Sequence, residues 1–193
     1  MRVLVLYAHP CGESFAAALH TRAVAVLRSA GHEVDDCDLY AENFQPVLTA
    51  EERRAYDDPA RNTGPVAGYV ERLRKAEALV IMCPVWNYGF PAILKGYFDR
   101  VFLPGVSFHI VDGRTKGCLH NIRKVVAVTS YGGSRWAAFL LGDPPRRLVM
   151  RMLRGAVKPF APFRYLAHYS MNESTERTRA AFLRRVEAAF ARF

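Results

Sequence analysis

The sequence predicts an α/β fold, a doubly wound five-stranded parallel sheet of order 2-1-3-4-5 between two helical layers, three layers in all. Three observations carry that prediction. Val3–Tyr7, Ala78–Met82 and Lys124–Thr129 are short apolar runs without polar alternation, the pattern of strands covered on both faces. Each is followed by a segment with helical spacing, as right-handed crossovers between parallel strands require. The chain has 193 residues, 51% of them apolar, enough for one domain (residues 1–193) with a sizeable core.

Taken in order, Val3–Tyr7 is the first strand. The turn Ala8–Ser14 leads into an amphipathic helix over Ser14–Ser29, with Phe15, Leu19, Ala23, Val26 and Leu27 on one side and Ser14 as its cap. Gly31 ends that helix, and the charged segment Glu33–Leu39 suits a sheet edge. Residues 41–65 are polar and broken by Pro46, Pro59 and Gly64, with a short helix expected around Thr49–Tyr56. Val66–Ala76 is the next helix, ahead of the buried strand Ala78–Met82. Residues 84–91 form a loop with two aromatics and an amide, and Pro91 suits the first position of a helix running to Phe102.

Leu103–Leu119, with three glycines, is a loop or short hairpin. Lys124–Thr129 is the fourth strand of the sheet, and 130–136 a second loop rich in glycine and aromatics. Asp143 opens a helix that Pro159 and Pro162 end. Phe163–Tyr169 is an outer strand, and Ser174 caps a last helix whose inner stripe is Phe182, Val186, Phe190 and Phe193.

Charge and composition narrow the partners. Of 27 Lys/Arg residues 11 fall in 143–193, against 4 of the 18 acids there, a basic surface that attracts anionic ligands. No nucleic-acid recognition motif accompanies it, so nucleic acid is not expected. The apolar start of the chain is too short for a membrane span or a signal segment, and four scattered cysteines predict reduced thiols in a cytoplasmic protein. Neither G-x-G-x-x-G nor G-x-x-x-x-G-K-[ST] occurs, which disfavours a dinucleotide-type turn or a P-loop. G-x-S-x-G and H-E-x-x-H are also missing, and no metal-ligand spacing is present.

In the order 2-1-3-4-5 the first, third and fourth strands lie together, so loops 8–14, 84–91 and 130–136 converge at their carboxyl ends, where such sheets bind ligands. That crevice offers a helix amino terminus for phosphate and aromatic walls from Trp86, Tyr88 and Tyr131. A flat ring carrying a phosphate suits it.

Four segments in this order resemble the flavodoxin-like NAD(P)H:quinone oxidoreductases and FMN-dependent azoreductases over nearly the full chain. They are Tyr7-Ala8-His9-Pro10 through Phe15, Asp38–Tyr40, Pro84–Pro91 with the helix after it, and Ser130–Gly133. The resemblance implies a flavodoxin-like fold and FMN (alternatively FAD), with His9, Ser14 and Phe15 at the phosphate and ribityl end. Pro84, Val85, Trp86, Asn87 and Tyr88 would line the ring, and Ser130, Tyr131, Gly132 and Gly133 its other side. Asn87 is similar to the FMN azoreductases, whereas FAD quinone reductases tend to have an aromatic there. The tyrosine and histidine that FAD quinone reductases carry after Gly-Gly are missing from 134–143, so no general acid is assigned and no residue is expected to be catalytic in its own right.

The implied activity is hydride transfer from NAD(P)H through the flavin to a small-molecule acceptor, a quinone, azo compound or similar flat molecule, in a homodimer. The alternatives are a flavodoxin-type electron carrier, against which the basic charge argues, and a redox-sensing ancillary subunit of a membrane transporter.

Overall fold

The computed structural model describes residues 1–193. Its main sheet is parallel and five-stranded. It comprises β1 (Arg2–Tyr7), β2 (Glu33–Asp38), β3 (Ala78–Val85), β6 (Lys124–Tyr131) and β7 (Phe163–His168), in the order β2-β1-β3-β6-β7. Counted within the sheet this is 2-1-3-4-5. An antiparallel hairpin, β4 (Phe108–Val111) and β5 (Arg114–Gly117), fills the connection before β6.

The core divides into two layers because a strand sends alternate side chains to opposite faces. Val3, Val5, Val80, Met82, Val126 and Val128 pack under α1 (Phe15–Ser29) and α8 (Glu176–Phe190), meeting Leu19, Leu27, Phe182, Val186 and Phe190. Leu4, Leu6, Leu79, Ile81, Val125 and Ala127 face the other way, toward α3 (Ala67–Lys75) and α4 (Ala92–Val101). The short α2 (Ala50–Ala55) starts with a capping box, Thr49 and Glu52 each bonding the other's backbone N–H. α2 is also tied to α4: the Arg100 guanidinium holds the Glu52 carboxylate and the Gln45 carbonyl. Burial pushes the Glu52 carboxyl up, but the Thr49 N–H and Arg100 outweigh it and hold it below its ordinary value.

Four boundaries differ from expectation. β3 continues through Pro84 and Val85, paired with Ser130 and Tyr131 of β6. A proline is tolerated there because residue 84 faces the β1 side, where pairing has already ended at the Ala8 N–H to Met82 carbonyl bond. Pro91 is the N-cap of α4, with extended ψ of 141°, and not its first helical residue. The expected loop 130–136 is shorter: β6 reaches Tyr131, and Ser134 caps a six-residue helix, α5 (Arg135–Leu140). Finally, Thr175 and not Ser174 caps α8, because only Thr175 has a hydroxyl partner three residues on, Thr178, to complete a reciprocal cap. Between α5 and β7 lie α6 (Pro144–Arg147), a π turn (Leu148–Met152) and α7 (Leu153–Ala156). All four cysteines are free thiols. No helix is long and apolar enough to cross a membrane.

Candidate functional site

The carboxyl ends of β1, β3 and β6 do meet at one cleft of about 310 Å³. Of the residues singled out from the sequence, His9, Ser14, Phe15, Pro84, Val85, Trp86, Ser130 and Gly132 line it. No acidic residue lines it, and the first turn of α1 carries none.

Each wall has a local cause. The β1 turn ends at Ser14, whose side-chain oxygen accepts the Ala17 N–H at 3.1 Å and so starts α1. The N–H groups of Phe15 and Ala16, one position earlier, have no protein acceptor, as is general for a first turn. They face the cleft at the positive end of a 15-residue helix. His9 Nδ1 accepts the Cys11 N–H at 3.0 Å, which places the ring proton on Nε2 as a free donor. Its ring lies 5.8 Å from that of Trp86.

After β3 the chain reverses over Trp86–Gly89. Trp86 N–H bonds the Gly89 carbonyl at 3.1 Å, and Gly89 N–H returns to Trp86 at 2.8 Å. The two central residues, Asn87 and Tyr88, have φ of 48° and 54°, so this is a two-residue turn of type I′. Asparagine tolerates that conformation; tyrosine in it is strained. The turn stands Trp86 at the cleft's edge with 42% of its surface exposed. Asn87 and Tyr88 sit at the tip and are not part of the wall. Tyr88 instead reaches across to the next loop, where a Cβ on Gly133 would be 3.2 Å from its hydroxyl.

The third wall is the end of β6. With the strand running to Tyr131, alternation sends Ser130 to the α1 side and into the cleft. Tyr131 points to the other side, with only 2% of its surface exposed. Tyr131 is therefore no wall of the cleft, contrary to expectation. Its hydroxyl donates to Asp143 Oδ1 at 2.6 Å and lies 2.6 Å from that of Tyr165, and its ring packs on Tyr169. Burial, then Tyr165 and Asp143, push the Tyr131 hydroxyl far above its ordinary value, so it stays a donor. Gly133 lies just outside the lining. Gly132 is in it, and a Cβ there would meet the Asn172 amide at 3.2 Å.

Ala16, Met171 and Asn172 complete the cleft and were not anticipated. The last two follow β7, whose loop is stitched to the glycines by the Ser170 N–H to the Gly133 carbonyl at 2.8 Å. The signal was available, since they too follow a strand's carboxyl end. Cys83, 2% exposed, is pushed well above the usual thiol range by burial and is a packing residue.

The donor set suits a planar, phosphate-bearing ligand. It combines open N–H groups at a helix start, a further pair at Gly132 and Gly133 without acceptors, a flat exposed indole, and no carboxylate.

Known proteins share this fold. The model of a family described as having a flavodoxin-like fold matches residues 1–189. NAD(P)H dehydrogenase (quinone) 1 of Rattus norvegicus is 30% identical over 150 residues, covering 69% of this chain and 54% of the relative. An FMN-dependent NADH:quinone oxidoreductase of Lachnoclostridium phytofermentans is 37% identical over 116 residues, covering 58% and 57%. The chain thus spans little more than half the length of either curated relative. Among solved structures, an NAD(P)H:quinone oxidoreductase from Methanothermobacter marburgensis superposes with a TM-score of 0.79 at 26% identity, covering 99% of this chain and 96% of that one.

Proposed function

The chain belongs to the family with the flavodoxin-like fold, and from that premise we propose that it is an FMN-dependent NAD(P)H oxidoreductase reducing quinones, azo compounds or similar flat acceptors. The observation that carries the reading is the acid-free cleft where three strand ends bring unpaired N–H groups beside an exposed indole. The names of the relatives from Rattus, Lachnoclostridium and Methanothermobacter point the same way, and the Lachnoclostridium name supports FMN over FAD.

The residues fit such a group. The N–H groups of Phe15 and Ala16 and the Nε2–H of His9 would hold the phosphate, with the dipole of α1 favouring its charge. Pro84, Val85 and Trp86 would bound one side of the ring, and Ser130 and the 132–133 backbone the other. Asn87, at the turn's tip, would offer its amide to the ring's polar edge. Bound there, FMN would supply reversible two-electron chemistry, taking hydride from the nicotinamide and giving it to the acceptor. The protein's part is orientation and exclusion of water. None of its side chains is assigned a proton-transfer step.

The same proposal covers the remaining expectations: one flavin-binding domain over 1–193, acting in the cytoplasm as a homodimer. An apolar groove of about 420 Å³, lined by Phe98, Phe102, Phe108, Leu148 and Met152 among others, supports a second copy as its cover. Light scattering of the purified chain checks that.

The activity is tested by a visible spectrum of the protein with FMN, followed by NADPH without oxygen and then a quinone. A yellow protein that bleaches and regains colour is the expected result. A chain that takes up no flavin, or holds flavin that no nicotinamide reduces, overturns the proposal.

A further inference from the structure

A second cleft, of about 360 Å³, lies behind the glycine loop. Four arginines line it: Arg135 from α5, Arg146 and Arg147 from α6, and Arg151 from the π turn. None of the four takes part in an ion pair, whereas Arg72 and Arg100 each hold carboxylates. The one acid present, Asp143, is committed through Oδ1 to the Tyr131 hydroxyl. Four like charges around one cavity repel one another, and an anion between them relieves that.

Their placement is built into the backbone. Arg147 and Arg151 stand four residues apart, a spacing that puts both on one side of the helical run from α6 into the π turn, and Arg146 lines the same cleft. The Arg147 guanidinium packs over residue 142, where a Cβ would stand 3.2 Å from its Nη1, and glycine there also supplies a φ of 79°. Arg146 lies over the Tyr165 ring at 5.9 Å. At the rim, Phe139 stacks on Trp136 with ring centres 5.6 Å apart, and these two side chains are 68% and 66% exposed. Exposed aromatic faces beside unpaired guanidinium groups match a ligand with both a flat base and a phosphate.

The two clefts have no lining residue in common, but the same two loops lead to both. Arg135 follows the Gly132–Gly133 loop by two residues, and Tyr169, which lines the arginine cleft, precedes the Ser170 N–H that bonds Gly133.

We propose that the arginine cleft is a phosphomonoester subsite for the ribose 2′-phosphate of NADPH, which makes the chain selective for NADPH over NADH; the identity of the ligand rests on the reductase reading above. The adenine lies against Trp136 and Phe139, and the guanidinium groups bind the dianion.

Calorimetric titration of the full chain with adenosine 2′,5′-bisphosphate and with adenosine 5′-monophosphate tests this without any redox step. Charge-assisted hydrogen bonds to the extra phosphate predict tighter binding of the bisphosphate by about tenfold or more. That preference disappears in Arg147→Gln/Arg151→Gln and in Arg135→Gln, which lies on a separate helix, and persists in Arg177→Gln on α8. Since all of these side chains are exposed, a thermal melt serves to confirm folding. With the redox assay, the same variants lose the ratio of NADPH to NADH in kcat/KM. Equal binding of the two nucleotides, a preference that survives the substitutions, or inorganic phosphate binding as tightly as the bisphosphate overturns the proposal. A chain that prefers the bisphosphate yet binds no flavin refutes the reductase reading and keeps the phosphate subsite.

Discussion

Gly96→Ala should destabilise this protein although it replaces glycine inside a helix. In α4 a Cβ at residue 96 would lie 2.3 Å from the Pro46 carbonyl oxygen, 2.4 Å from its Cβ and 2.5 Å from its Cα. Normal contact between heavy atoms needs roughly 3.5 Å, so the backbone must retreat by about 1 Å. It has little freedom to do so, because Arg100 on the same helix grips the Gln45 carbonyl one residue away and Glu52 beyond it. Overpacking of this kind costs about 1–3 kcal/mol or more, and the gain in helix propensity offsets only about 1 kcal/mol. With the upper part of that range expected against pinned backbone, the net loss is about 2 kcal/mol. For a chain of this size that lowers the melting temperature by roughly 4–8 °C. Gly68→Ala is the control. Residue 68 sits in α3 with nothing within 4 Å of the added carbon, so there the propensity gain stands alone and melting rises by at most a few degrees. Thermal and urea melts followed by circular dichroism separate the two. A Gly96→Ala variant melting at or above the parent would refute the packing described between α4 and residues 45–52.

Removing the other half of that contact, Arg100→Ala leaves the Glu52 carboxylate nearly buried without its cation, for a loss of about 3–5 kcal/mol measured by urea titration; a loss under about 1 kcal/mol would show the pair to be solvated. Burial and the nearby Arg179 charge hold the His168 imidazole below its ordinary 6.5, so the unfolded chain takes up that proton first. Stability contributed by the neutral ring is present above about pH 6.5 and is lost as pH falls through the lower folded value. His168→Gln should flatten that part of the melting-against-pH curve, and parallel curves would count against it. Trp86→Ala should weaken FMN binding about tenfold in a fluorescence-quenching titration, since it deletes the exposed flat face of the cleft; an unchanged dissociation constant removes Trp86 from the site.

The central strands were legible in the sequence because Val3–Tyr7, Ala78–Met82 and residues 124–129 are apolar on both faces, and no helix-forming pattern competes. Their order followed from the crossovers, and the cleft from the order. Strand ends were less legible, and that mattered at Tyr131. Two more residues of β6 decide which face each side chain takes, and they send Ser130 into the cleft and Tyr131 under it. α5 was missed because its apolar side chains Trp136, Phe139 and Leu140 point outward, leaving no buried stripe for periodicity to reveal. Met171 and Asn172 were less legible because the segment after β7 has no glycine to mark close approach to a ligand. The arginine cleft has no motif at all, since its side chains come from α5, α6 and the turn after it, which only the fold brings together.

The reversed pair of residues at the tip of the Trp86–Gly89 turn has a consequence for binding. A tyrosine held left-handed would relax if its surroundings allowed, so the hairpin's two cross-links and the glycine loop that Tyr88 touches must already be rigid enough to prevent it. The backbone that carries the indole is then set in the free protein. A ligand stacking at this edge would meet backbone already held in place, so less ordering entropy would be lost on binding.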